Sequence, residues 1–434
     1  MCRVAELERT AAHISKQRHP RRWWRVLLLA VLAIILVMGW TVGLAYARLQ
    51  SNIDQTDVTS LLGKNHEASY PDKWGGQALN FLVLGSDTRN GDSDIDNAGA
   101  NGEVSGMRAD TTILVHIAKD RSRIDAVSIP RDTLVDIPSC TLRTSDGKTQ
   151  TTSAYKNQMI NAAFAIGGST GDVPSAAACT MKTMEQLTGI SLDGYVVVDF
   201  ASFMKTVDII GGVPMYFPTA LKDSYSGLDV AAGCDLLDGT QALALARARK
   251  SIGDGSDIGR IGRQQELLRS AANEIFSSGT LSQPTKLYQV LDATTQSLQT
   301  STGLGNISTL AGLAQSVSGL SADSINFATM PWVYSGNRVK VGDSASIVWN
   351  ALANDEPFTV TTADDGTAVA QPPAATPSAD TSGSGTTSNA AGSSTSGGSG
   401  ASRSTGSATA GAAASAEASP SAQTTPQCTK ENAK

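Results

Sequence analysis

Apolar positions along this chain come in three regimes, and each predicts a different element. Val26 to Ala47 runs V-L-L-L-A-V-L-A-I-I-L-V-M-G-W-T-V-G-L-A-Y-A without a charged residue. As a helix it is long enough to cross the ~30 Å hydrocarbon core of a bilayer. Between residues 77 and 360, short apolar runs alternate with helical periodicities. From residue 361 to 434 the chain is almost all Ala, Ser, Thr, Gly and Pro. Such a stretch buries too little apolar surface to offset chain entropy, so it reads as a disordered tail.

In the central part, Leu79–Leu84, stopped by Gly85, reads as a buried strand. Thr112–Ile117 and Ile124–Ile129 read as a hairpin across Ala118–Ser122. Helices are predicted over Asn161–Ile166 and over Pro174–Leu187, the second with Pro near its start and Gly189 at its end. Tyr195–Val198 is a strand, Phe200–Ile210 a helix closed by Gly211-Gly212, and Val213–Phe217 a strand again. Helices follow over Leu236–Ala246, Ile258–Phe276, Lys286–Leu298 and Leu304–Val317. A strand at Ile325–Thr329 and a helix at Ser344–Leu352 close the domain. The alternation predicts an α/β fold, a mixed β-sheet flanked by helices in an α-β-α sandwich.

Charge orients the apolar segment. Lys16, Arg18, Arg21, Arg22 and Arg25 precede it, which places residues 1–25 in the cytoplasm, 26–47 across the membrane as a single-pass transmembrane helix, and the rest outside. Ala45-Tyr46-Ala47 resembles a signal cleavage site, but the apolar run exceeds a usual signal core, which favours an uncleaved anchor. Residues 48–76 are polar and read as a stalk. The net charge of −6 gives no sign of nucleic-acid binding.

An exported domain permits disulfides. Cys140 and Cys179 flank one loop-rich insertion and are the first choice for a pair; Cys234 is then left odd, and sequence alone does not fix the connectivity. No C-x-x-C, G-x-S-x-G, H-E-x-x-H or P-loop is present. Of the four histidines only His116 falls in the core, on a strand, as a packed residue.

What remains is a concentration of arginines. R-A-R-K-S-I-G-D-G-S-D-I-G-R-I-G-R-Q-Q places Arg247 and Arg249 two apart. Arg260, Arg263 and Gln264 fall on one stripe of a helix opening near Ser256 or Asp257. Guanidinium forks match phosphate oxygens, and a helix N-terminus favours anions. Three charged turns flank the first strands: Gly85-Ser86-Asp87-Thr88-Arg89, Arg108-Ala109-Asp110-Thr111 and Pro130-Arg131-Asp132. If the second strand runs antiparallel to its neighbours, all three lie on one sheet edge. There Asp87 and Asp110 could hold a hard divalent cation. The intervening acidic stretch from Asp92 to Glu103 imitates a calcium loop, but Asn97 stands where glycine is expected, so it reads as a solvated loop.

These motifs, in this order, resemble the LytR-CpsA-Psr (LCP) family of Gram-positive cell envelopes. The resemblance spans about Asn80 to Ser270 and rests on N-F-L-V-L-G-S-D-T-R, R-A-D-T-T-I-L-V, A-V-S-I-P-R-D-T-L-V-D-I-P, D-G-Y-V-V-V-D-F-A-S-F, L-D-G-T-Q-A-L-A-L-A-R-A-R and D-I-G-R-I-G-R-Q-Q. It implies transfer of a glycan phosphate from a polyprenyl-pyrophosphate-linked precursor to peptidoglycan, with Mg2+ (or Mn2+) as cofactor. Asp87 and Asp110 match the family's metal-site acids. Arg131, Arg247, Arg249 and Arg260 match its pyrophosphate-binding arginines, and Gln264 a polar residue of the same site. Asp87, Asp110 and Arg131 are thereby the catalytic candidates. Arg89, Arg108, Asp257 and Arg263 lie in the motifs as well. Two other readings use the same residues or none: a metal-dependent pyrophosphatase, and a non-catalytic envelope-binding or regulatory protein.

Overall fold

A computed structural model describes residues 20–63, 77–86, 107–249, 252, 255–277, 283–296, 298–363, 367–371 and 428–433. Helix α1 (Pro20–Asn52) contains the uncharged run, and Trp23–Asn52 is long and apolar enough to cross a membrane. It runs straight into the domain through β1 (Asp54–Thr56) and α2 (Thr59–Leu62).

Three strands follow: β2 (Leu79–Ser86), β3 (Ala109–Ile117) and β4 (Ile124–Ile129). An insertion then carries β5 (Leu134–Ile137), β6 (Thr141–Arg143), β7 (Thr149–Thr151) and β8 (Tyr155–Met159), ahead of α3 (Asn161–Gly167) and α4 (Val173–Thr188). Asp172 caps α4 by accepting the Ser175 N–H, and Gly189 ends it at φ 73°. Next come β9 (Gly194–Val198), α5 (Phe200–Ile210), β10 (Val213–Phe217), β11 (Leu221–Asp223), β12 (Leu228–Val230) and β13 (Gly233–Leu237). The last part holds α6 (Gly239–Arg247), α7 (Asp257–Ser277), α8 (Pro284–Thr295), β14 (Gln299–Ser301), α9 (Ile307–Ser316) and β15 (Ile325–Thr329). Hairpin β16 (Trp332–Ser335)/β17 (Arg338–Val341), α10 (Ala345–Ala353) and hairpin β18 (Thr359–Thr362)/β19 (Ala368–Gln371) complete it.

The central sheet has seven strands in the order β1-β14-β9-β2-β3-β4-β15. It is mixed: β3 is antiparallel to β2 and β4, while β2 and β9, and β4 and β15, are parallel. Successive side chains of one strand enter different layers. Tyr195 and Val197 of β9 join a core with Phe164 of α3, Met181 and Met184 of α4 and Val348 of α10. Val196 and Val198 pack instead, together with Tyr288 and Leu291 of α8, against a cluster of Leu49 of α1, Ile53, Leu298 and Ile307. Helices therefore cover both faces, and the sandwich expected from the alternation is present. A third cluster joins α5, α6, α7, β10 and β13.

Several expectations change. The segment read as a stalk is structured up to residue 62: Leu49 and Ile53 are core residues, Asp54–Thr56 pairs in parallel with β14, and Leu61 and Leu62 are buried. Its apolar residues are too few and too scattered to read as periodic, and distant partners complete their burial. The helix expected from Leu236 starts at Gly239, because Leu236 and Leu237 pair with β10 and Asp238 caps by accepting the Gln241 N–H. The helix expected to reach Leu298 stops at Thr295, and β14 follows.

The fold also passes residue 360, through the β18/β19 hairpin. Residues 428–433 return to the domain, although this end falls in the stretch read as a disordered tail. Cys140 pairs with Cys179 as expected, and Cys234 is not odd: it pairs with Cys428. Beside that bond, Lys430 Nζ donates to Ile210 O and meets Glu274 Oε2 at 2.7 Å. His116 is fully buried, with Nδ1 2.8 Å from Asn80 Oδ1 and Nε2 3.0 Å from Asp355 Oδ1.

Candidate active site

Because β3 is antiparallel to both neighbours, the end of β2, the start of β3 and the end of β4 share one sheet edge. The register pairs Ser86 with Ala109 and Thr112 with Ile129. Gly85 lets the strands close there, since a Cβ on it would stand 3.1 Å from Thr111 Cβ. Asp110 therefore sits beside the turn after β4, where Thr133 closes Pro130–Thr133 by donating Oγ1 and N–H to Pro130 O at 2.6 and 3.0 Å. That turn presents Arg131 and Asp132.

Helix α7 completes a closed ring. Arg131 Nη1 donates to Asp110 Oδ1 at 2.6 Å. The Arg131 backbone N–H donates to Asp257 Oδ2 at 3.0 Å. Asp257 Oδ1 meets Arg260 Nη2, three residues on, at 2.5 Å. Arg260 Nη2 also donates to Asp110 O at 2.9 Å. Arg260 is only 4% exposed. Burial pushes its pKa down, Asp257 opposes that, and Arg131 adds to it; a guanidinium has enough margin to stay charged at neutral pH. The Nε atoms of Arg131 and Arg260 are buried and make no hydrogen bond among the described residues.

Asp132 extends the ring. Its carboxylate lies 3.9 Å from Arg131 Nε, 3.9 Å from Arg249 Nη2 and 3.2 Å from Arg338 Nη1 of β17. Arg249 and Arg247 line a cavity of about 310 Å³ together with Asp223, Tyr225, Ser226 and Gly255. Arg247 is the last residue of α6 and Arg249 follows an extended Ala248, so they meet through the cavity rather than along one strand. The Arg247 guanidinium also lies 5.4 Å from the centre of the Phe200 ring.

Helix α7 opens where its sequence implies, and Arg260, Arg263 and Gln264 do share a stripe. That stripe docks α7 onto the end of α6: Arg263 Nη2 donates to Ala248 O at 2.6 Å, and Gln264 Nε2 to Ala246 O at 2.9 Å. These two bonds fix the backbone on either side of Arg247 and just before Arg249. Gln265 ties α7 to the sheet through Ser128 Oγ and Thr329 Oγ1.

Asp87, Arg89 and the Asp92–Glu103 loop lie outside the described residues. Among the described residues, no three His, Cys, Asp or Glu side chains group closely enough to hold a metal ion. Asp257 and Asp132 are turned toward arginines. Asp110 differs: its side chain is 36% exposed with one oxygen on Arg131, a hard oxygen donor open to solvent. That donor suits magnesium or manganese as one ligand among water and phosphate oxygens.

Sequence reading missed Arg338, Asp223 and Tyr225. Arg338 stands in R-V-K-V, ordinary strand sequence far past the motifs, and the bridge between Thr133 and Val339 brings it to the site.

One edge of the α-β-α sandwich thus joins the buried Asp257–Arg260 pair to the part-exposed Asp110–Arg131 pair and to a cavity with further arginines. The sequence pattern of the LytR_cpsA_psr family matches residues 45–355, and the chain belongs to that family. It is 28% identical over 263 residues to the probable cell wall biosynthesis protein LcpB of Corynebacterium glutamicum, covering 60% of this chain and 54% of that protein. It is 30% identical over 266 residues to the cell wall biosynthesis protein LcpA of the same organism, covering 58% and 50%. The chain thus spans about half the length of these two relatives. Against the polyisoprenyl-teichoic acid–peptidoglycan teichoic acid transferase TagU of Oceanobacillus iheyensis it is 28% identical over 302 residues, covering 68% of this chain and 82% of TagU. Among solved structures, a LytR-Csp2A-Psr enzyme from Actinomyces oris aligns over 69% of this chain and 95% of its own, at 20% identity and a TM-score of 0.47.

Proposed function

We propose that this protein transfers a glycan phosphate from a polyprenyl-pyrophosphate-linked precursor to peptidoglycan, at the outer face of the membrane that α1 crosses, with the N-terminus in the cytoplasm. The observation that carries this reading is the ring of Asp110, Arg131, Asp257 and Arg260, joined through Asp132 to Arg249 and its cavity. The relatives' names support the same class of reaction.

In this reading the arginines carry the charge of the diphosphate. Arg249, only loosely paired with Asp132 at 3.9 Å, turns to the phosphate oxygens, while Arg131 presents its guanidinium from within the ring. Arg260 stays in place and fixes Arg131 through Asp257. The acceptor hydroxyl oxygen forms a bond to the glycan-side phosphorus while the bond from that phosphorus to the bridging oxygen breaks. Lipid monophosphate leaves with the bond's electron pair, and the guanidinium groups stabilise the charge arriving on the bridging oxygen. Asp110, when its second oxygen is not taken by a cation, accepts the hydroxyl proton in this reading. Magnesium or manganese, when bound, neutralises diphosphate charge, with Asp110 and Asp87 as its protein ligands.

The test is product analysis with purified full-length chain, a polyprenyl-diphosphate glycan and peptidoglycan. A wall-linked phosphodiester supports transfer. Free sugar phosphate would mark a pyrophosphatase, and an unchanged donor a binding or regulatory protein.

A further inference from the structure

The turn between β11 and β12 carries a feature that the phosphate chemistry leaves unused. Asp223 ends β11 and is 1% exposed. Its Oδ1 accepts the Tyr225 N–H at 3.0 Å, and its Oδ2 accepts the Arg249 N–H at 3.0 Å. One buried carboxylate therefore fixes both the turn that bears Tyr225 and the strand-like segment that bears Arg249. Gly227, at φ 77°, turns the chain back into β12. Tyr225 is 70% exposed, yet it lines the same cavity as Ser226, Arg247 and Arg249.

We infer that this turn is a sugar-binding edge of the site, with the Tyr225 ring taking the C–H face of a pyranose and Asp223 positioning it. The inference rests on the diphosphate reading above and adds the ligand class beside the anion. Among the described residues the cavity offers one aromatic ring, one serine hydroxyl, the Asp223 carboxylate and two guanidinium groups. A pyranose presents an apolar face to a ring and its hydroxyls to polar groups at the rim, here Ser226 and the arginines. The sugar comes either from the donor, next to its diphosphate, or from the acceptor glycan.

The experiment titrates the full chain in detergent with a polyprenyl diphosphate and with the same lipid carrying N-acetylglucosamine. A donor sugar predicts that Tyr225→Ala weakens the sugar-bearing lipid alone, by about two- to tenfold, while Tyr225→Phe retains binding. An acceptor sugar predicts unchanged binding of both lipids and a rise of similar size in KM for a soluble muropeptide, with kcat kept. Equal weakening of both lipids would make the turn merely structural and overturn the inference. So would no change in any of these quantities. Asp223→Asn is expected to weaken both lipids, because Arg249 loses its anchor; if that variant does not fold, the Tyr225 pair decides. Failure of the underlying reading looks different: Arg249→Ala would then leave the bare lipid diphosphate bound as before.

Discussion

Arg131 and Asp257 meet twice: the Arg131 N–H donates to Asp257 Oδ2 at 3.0 Å, and Arg131 Nε lies 3.6 Å from Asp257 Oδ1. The same carboxylate holds Arg260 at 2.5 Å. One acid in the first turn of α7 thus orients two arginines, and Asp257 is itself 6% exposed.

Removing that acid leaves buried positive charge without its counter-ion. Asp257→Asn is expected to destabilise the domain by about 3 to 5 kcal/mol, measured by denaturant unfolding. An effect near zero would show that Arg260 has another partner.

Activity separates the two roles of Asp110. Asp110→Asn keeps an oxygen for Arg131 but cannot accept a proton or hold a cation with a full charge. Transfer is expected to fall about 100-fold or more in kcat, while the melting temperature moves little, since the side chain is part-exposed. A normal kcat would remove Asp110 from the proposed chemistry.

Far from the site, Asp355 binds the buried His116, the Lys119 N–H and Arg123. Burial alone would raise its pKa; the hydrogen bonds with His116 and Lys119 and the Arg123 charge outweigh burial, so the net shift is downward. A depressed carboxylate stabilises the fold above its unfolded pKa of ~4 and loses that contribution as pH falls through the folded value. Asp355 has φ 57°, a conformation Asn also tolerates, so Asp355→Asn tests the charge without backbone strain. The variant is expected to lose about 1 to 2 kcal/mol at pH 7, with the gap to wild type closing in acid. A gap that persists at low pH would refute the account.

The Cys234–Cys428 bond closes a span of 194 residues. Proteolysis within 372–427 is expected to leave the C-terminal peptide attached on a non-reducing gel and to release it on reduction. Release without reductant would mean that the bond does not form.

The sheet and the arginine site were legible for different reasons. Leu79–Leu84 and Ile124–Ile129 read as strands because they lie inside the sheet, where strands covered on both faces are rich in apolar residues. The arginines and Asp110 read as a site because their motifs keep a fixed order. The β1 end of the sheet did not read: Asp54–Thr56 and Gln299–Ser301 are polar triplets that become strands by pairing with each other and, for Gln299–Ser301, with β9. Arg338 and Tyr225 carry no local signal, because tertiary contacts bring one hairpin to Asp132 and the other to the cavity. The partner of Cys234 was hidden by composition, since Cys428 follows a long run of small residues.

The central claim is that one anion site gathers these arginines. Arg249→Ala tests it most directly, because Arg249 is part-exposed and can be removed without opening the core. Calorimetric titration of the full chain in detergent with a polyprenyl diphosphate should show binding about 10- to 100-fold weaker in the variant, the value of a charged hydrogen bond, at an unchanged melting temperature. Equal affinity in wild type and variant would contradict the account.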